Sequence, residues 1–228
     1  MDLFKHFEKN ANGKDFVVGD LHGCFDLLEE ELSKLNFNKE TDRLFSVGDL
    51  VDRGDQSELS IDYIAYPWFH TVAGNHEIMA CEYYDHDIKS RIWNQQNYRY
   101  NGGKWFIDLP EDRKKLFADT FRELPISIEI ETNTGLVGIV HANCPVNDWY
   151  ELKDLLSIED STNTYQKNLI DGCIWDRSRI NNKDASIIQN VERIYHGHTP
   201  VKEVAVLGNR WYIDTGAVFG NKLTIMEI

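Results

Sequence analysis

Five short stretches of the chain carry the side chains that hold divalent cations. They are Gly19-Asp20-Leu21-His22-Gly23, Gly48-Asp49-Leu50-Val51-Asp52-Arg53-Gly54, Gly74-Asn75-His76-Glu77, Val140-His141-Ala142-Asn143 and His196-Gly197-His198-Thr199. Carboxylate, imidazole and amide oxygen are the donors that suit Mn, Fe or Zn ions, and flanking glycines let the backbone turn sharply close to what the side chains hold. Taken singly, each stretch has an ordinary explanation. Gly-Asp after a strand is commonly a turn closed by an Asx hydrogen bond, as is a lone Asn75, and a histidine such as His141 beside an apolar run is commonly a satisfied core residue. The joint, ordered occurrence of all five, each at the end of an apolar run, is not what independent turns produce. His6, His70 and His86 lie outside any such motif and read as structural.

The elements that must position these residues follow from hydrophobic spacing. Phe16-Val17-Val18 is a buried strand ending at Gly19, and Leu44 to Val47 is a second ending at Gly48. Between them Phe25, Leu28, Leu32 and Leu35 recur at i, i+3, i+7 and i+10, one face of an amphipathic helix. A helix over Leu59 to Tyr66 is stopped by Pro67, and Phe69 to Ala73 forms a third strand ending at Gly74. Strands and helices thus alternate in βαβ order.

The middle of the chain is less regular. Asp85 to Lys104 is polar and reads as a loop, whereas Pro110 to Leu124 reads as a helix with proline at its start. Ile126 to Glu131 alternates strictly, which predicts a half-exposed strand, and Asn133-Thr134-Gly135 is a hairpin turn into Leu136 to Val140. An acidic, polar stretch at about 147–172 reads as an insertion. Strands return at Arg193 to Tyr195, Val201 to Val206, Trp211 to Ile213 and Leu223 to Ile228, with Gly208-Asn209 as a turn. No linker or repeat divides residues 1–228, so the expectation is a single α/β domain.

Composition narrows the function classes. The 228 residues contain 24 Lys+Arg and 38 Asp+Glu, a formal charge of −14. A surface this negative repels polyphosphates and anionic lipids, so nucleic-acid and membrane partners are not expected. Any anionic substrate must meet concentrated local positive charge. Cys24, Cys81, Cys144 and Cys173 form no C-x-x-C pair, the N-terminus carries no apolar signal, and no apolar run approaches the ~18 residues of a membrane helix. The chain reads as soluble and cytoplasmic.

The set GDLHG, GDLVDRG, GNHE, HAN and GHTP resembles the metallophosphoesterase superfamily, in particular the bacteriophage lambda and bacterial-type phosphoprotein phosphatases. Pro67-Trp68-Phe69, Asn101-Gly102-Gly103-Lys104-Trp105-Phe106, Ile174-Trp175-Asp176-Arg177 and Tyr212 to Phe219 are similar to further stretches of that subgroup. The resemblance implies the calcineurin-like fold, two mixed β-sheets sandwiched between helices (αββα). It also implies that Asp20 and His22 bind a first metal, that Asn75, His141 and His198 bind a second, and that Asp49 bridges them. The expected ions are two Mn2+, with Fe or Zn as alternatives. His198 rather than His196 takes the ligand role because it stands in Gly197-His198-Thr199-Pro200.

The implied reaction is hydrolysis of phosphomonoesters on a phosphorylated protein or peptide, at Ser/Thr or also Tyr, by attack of a dimetal-bound hydroxide. His76 is the expected general acid, Asp52 its orienting carboxylate, and Arg53 and Arg177 bidentate donors to the phosphate. One departure is that the fourth motif reads His141-Ala142-Asn143, where many members have glycine or aspartate in the third place. Competing readings are a symmetrical diadenosine polyphosphate hydrolase of the same fold and a non-catalytic metal-binding scaffold. A nuclease is disfavoured because Pro200 stands where Gly-His-x-His would continue. Cys173 and Arg179 match the Cys-x5-Arg spacing of cysteine-dependent phosphatases, but the intervening residues include Trp175 and Asp176 and no glycine.

Overall fold

In the computed structural model, which describes residues 2–85, 95–158 and 164–228, two β-sheets face each other. The smaller contains β2 (Asp15–Val18), β3 (Arg43–Ser46), β4 (Phe69–Thr71) and β10 (Ile225–Glu227), in the order β10-β2-β3-β4. The larger runs β1-β5-β6-β7-β9-β8, from β1 (Phe4–Phe7) through β5 (Ser127–Glu131), β6 (Leu136–Val140), β7 (Arg193–His196), β9 (Arg210–Tyr212) and β8 (Ala205–Leu207). Within the sheets, β2, β3 and β4 are mutually parallel, as are β6, β7 and β9. All six therefore deliver the residues that follow them to one edge, which is where ligands gather in α/β sheets.

Between the sheets lies a dry layer of Val17, Phe45, Val47 and Val72 against Ile128, Ile130, Val137, Ile139, Tyr195 and Ile213. A larger core lies under the helices, where Phe25, Leu28 and Leu32 of α1 (Phe25–Lys34) and Phe117 and Phe121 of the helix Glu111–Arg122 are buried. Leu35, expected on the buried face of α1, is 42% exposed, because the helix ends before it and it serves as the C-cap. Helix α2 (Ser60–Ala65) ends ahead of Pro67, and α3 (Asn75–Asp85), not anticipated, starts inside the third motif.

Four expectations are corrected. The strand Ser127–Glu131 is buried rather than half-exposed: Glu129 is 2% exposed and takes hydrogen bonds from His6 Nδ1 (2.9 Å), Trp149 Nε1 (2.7 Å) and Lys153 Nζ (3.0 Å). The stretch at about 147–172 is polar in sequence but not in its packing, since helices Trp149–Leu156 and Thr164–Trp175 bury Trp149, Leu152, Leu156, Leu169 and Cys173 in the main core. The supposed loop Asp85 to Lys104 includes helical residues 95–100, and Lys104 opens a short helix, Lys104–Ile107. The strand expected over Val201 to Val206 shrinks to Ala205–Leu207, which leaves Val201 to pair its N–H with Asp214 O. His86 lies outside the described residues.

Because Trp149 is fully enclosed and its indole donates to a buried carboxylate, Trp149→Ala should lower the unfolding free energy by about 3–5 kcal/mol. Chemical denaturation measures this, and a loss below about 1 kcal/mol would show that the 149–156 helix adds little to the core.

Candidate metal centre

All six expected ligands are buried and sit just past strand ends: Asp20 and His22 after β2, Asp49 after β3, Asn75 after β4, His141 after β6 and His198 after β7. Their backbones are bent to fit. His22, Asp49, Asp52, Arg53 and His198 all have positive φ, between 43° and 70°. Non-glycine residues rarely adopt this region, and in numbers they do so where a functional geometry is enforced by the surroundings.

Asp49 is the hub. Its Oδ1 lies 3.4 Å from His141 Nε2, and its Oδ2 lies 3.6 Å from His22 Nε2 and 3.9 Å from His76 Nε2. Asn75 Oδ1 lies 3.0 Å from His141 Nε2 and 2.7 Å from His198 Nδ1. Two triads of donor atoms, each within 4.8 Å, therefore share Asp49: one with His141 and His198, the other with His22 and His76. The second differs from the expected set, which has Asp20 in place of His76. Asp20 is buried beside them, accepting the His198 N–H at 3.0 and 3.2 Å, and Gly197 permits this approach because a Cβ there would overlap the Asp20 carboxylate.

The chemistry of this donor set fits a divalent ion. His141 commits Nδ1–H to Val47 O (2.7 Å) and His22 commits Nδ1–H to Val51 O (2.8 Å), which turns Nε2 of each ring toward Asp49. Burial disfavours a charged His141, but the Asp49 carboxylate outweighs it and raises its pKa, so a cation at this Nε2 would take the place of a proton. His198 Nε2 faces Trp175 O (3.2 Å), which leaves Nδ1. Lone pairs of His141 and His198 thus converge with the oxygens of Asn75 and Asp49, an all-acceptor arrangement that a cation satisfies. Burial lowers His22 and His198 to about 3, which keeps both rings neutral. Burial also disfavours the charge of Asp49, but His141, His76 and His22 around it hold its carboxyl well below the usual carboxylate range. For Asp20 burial dominates, and with Asp214 and Asp49 nearby its carboxyl is pushed well above that range. Crowded carboxylates of this kind are relieved by bound cations.

The remaining expected residues lie around this centre. His76 Nδ1–H donates to Asp52 Oδ2 at 2.6 Å, both groups being buried. The Arg53 guanidinium donates to His22 Nε2, the same lone pair a first ion would use, and rests over the Phe219 ring. Arg177 donates to His198 O at 3.2 Å. His196 stands apart: it is buried, donates Nδ1–H to Val140 O at 2.7 Å and stacks on Tyr212. Asn143, in the departing fourth motif, donates to Asp176 Oδ2 at 2.6 Å. The Cys-x5-Arg spacing carries nothing, because Cys173 is enclosed in the core with its thiol pushed up by burial, and Arg179 is bound to Asp184 and Asn147.

Sequence reasoning gave Glu77 no role. Its buried carboxylate accepts the N–H groups of Asp49 (3.0 Å), Leu50 (2.8 Å) and Gly74 (2.8 Å), tying the second and third motif loops together. Only its place in Gly74-Asn75-His76-Glu77 could have flagged it.

A family model described as calcineurin-like phosphoesterase matches residues 16–214. The chain belongs to the calcineurin-like phosphoesterase family. Serine/threonine-protein phosphatase 1 of Salmonella typhimurium is 34% identical over 233 residues, covering 100% of this chain and 97% of its own. An asymmetrical bis(5'-nucleosyl)-tetraphosphatase of Bacillus subtilis is 26% identical, covering 91% of this chain and 88% of its own. A solved structure of a putative diadenosine tetraphosphatase has a TM-score of 0.63 at 19% identity, covering 98% and 97% of the two chains. It shares the fold. Among the described residues no helix is long and apolar enough to cross a membrane.

The Gly197 contact yields a direct test of the phosphoesterase centre. Gly197→Ala should displace the Asp20 carboxylate and weaken Mn2+ binding by at least about tenfold in calorimetric titration. Unchanged affinity would remove Asp20 from the ligand set.

Proposed function

We propose that this phosphoesterase is a metal-dependent phosphoprotein phosphatase of the cytoplasm, acting on phosphorylated Ser/Thr and also accepting phospho-Tyr. The observation that carries the reading is the buried His76–Asp52 pair at 2.6 Å, with His76 Nε2 3.9 Å from the hub carboxylate. A scaffold that only stores metal has no use for such a pair, whereas cleavage of an alkyl phosphate needs a proton for the departing alkoxide. The full-length similarity to a serine/threonine phosphatase supports the same class.

Asp20, His22 and Asp49 would hold one ion, and Asp49, Asn75, His141 and His198 the other; we favour Mn2+. Two such ions would supply an activated water and charge neutralisation for the phosphoryl oxygens. His76 delivers its Nε2 proton to the leaving oxygen, and Asp52 keeps Nδ1 protonated and stabilises the imidazolium. Arg53 and Arg177 offer guanidinium donors to phosphate oxygens, a fork that lysine does not match. They also provide local positive charge on a chain of net charge −14, and that overall charge disfavours nucleic-acid substrates.

The reading is tested by comparing kcat/KM on phosphoserine peptides and on diadenosine tetraphosphate after chelator stripping and Mn2+ restoration. Restored activity at least about tenfold higher on the peptide is expected; the reverse order would reassign the enzyme to dinucleotides. In the same assay His76→Asn should lower kcat by roughly 10²–10⁴ with metal content intact.

A further inference from the structure

The Asp52 carboxylate receives more than His76. Its Oδ2 takes the His76 Nδ1–H, while its Oδ1 takes the Trp105 indole N–H at 2.6 Å and the Tyr98 hydroxyl at 3.4 Å. Tyr98 lies in the helical residues 95–100 and Trp105 in the short helix Lys104–Ile107. They are anchored independently of the metal ligands: Trp105 meets Phe117 edge to face at 5.0 Å, and Tyr98 is buried against Tyr83 and Phe106. Between them Gly102, at φ 100°, lies so close to the Arg53 backbone that a Cβ would overlap it. On the other side Ser57 Oγ accepts the Asp52 N–H at 2.9 Å.

We propose that Trp105, assisted by Tyr98, is a positioning residue for the proton donor, saturating one oxygen of Asp52 so that the other is fixed on His76 Nδ1. The inference rests on the reading of His76 as general acid. A carboxylate has two equivalent oxygens and can rotate about its Cβ–Cγ bond. A fixed donor on Oδ1 locks that rotation, and locks with it the tautomer and ring plane of His76. An indole N–H suits this task because it donates and never accepts. Trp105 touches no reacting atom in this scheme; it acts through Asp52.

A structural role alone would lower turnover equally for every substrate, whereas a defect in proton delivery grows as the leaving group becomes more basic. The test is kcat across phosphate esters from dinitrophenyl to alkyl, for Mn2+-loaded wild type, Trp105→Phe and Tyr98→Phe. For Trp105→Phe we expect a loss of about tenfold on the alkyl ester, shrinking to about twofold on the most acidic phenol, at unchanged KM. Tyr98→Phe, which removes one hydroxyl, should give a smaller loss with the same trend, and it carries the test if the indole proves necessary for folding. Equal losses across the series, or none in either variant, would overturn the proposal. In metal-free protein the Trp105 indole N–H resonance should move upfield in Asp52→Asn, and a stationary resonance would also overturn it. Failure of the underlying reading shows separately, as a wild-type leaving-group slope no shallower than that of His76→Asn.

Discussion

The organising constraint is the burial of acceptors together. Asp20, Asp49, Asp52, Glu77 and Asp214 are all buried at one edge of two sheets, and lone pairs of His22, His141 and His198 point into the same space. Buried charge without a partner is expensive, so each of these groups must be assigned one. Glu77 has three backbone N–H groups, Asp52 has His76 and Trp105, and Asp20 has the His198 N–H. Asp49 takes one backbone bond, from the His76 N–H at 3.0 Å, and otherwise faces imidazoles. The donor atoms gathered around it are what divalent cations would satisfy.

That arrangement explains why the backbone is strained here. Among the described residues eight non-glycine positions have positive φ, and five of them are His22, Asp49, Asp52, Arg53 and His198. Each costs of order 1–3 kcal/mol. Such strain persists only where parallel strands, a dry interlayer and bonds such as those of Glu77 over-determine the loops. Rigidity therefore comes from the sheets and the aromatic core, and reactivity from the turns that leave them.

The candidate ligands were legible because of their chemistry: Asp, His and Asn next to glycine, repeated at the ends of apolar runs, have few other uses in combination. The βαβ order of β2, β3 and β4 was equally plain, whereas β1 carries no such signal. What escaped were residues whose role depends on a distant partner. Glu129 reads as solvent-facing until Trp149 and Lys153 close over it. Trp149, Leu152 and Leu156 have helical spacing, but the acidic residues between them gave the stretch the look of an insertion. Trp105 looks like any core ring, and only its N–H against Asp52 distinguishes it. Hydrogen bonds across 53 positions leave no periodic trace.

We propose that one carboxylate, Asp49, serves two ions. Elemental analysis of the purified protein after Mn2+ loading and desalting, set beside Asp49→Ala, tests it most directly. Two ions per wild-type chain and depletion of both in the variant are expected. Two ions retained by a folded Asp49→Ala protein would contradict it.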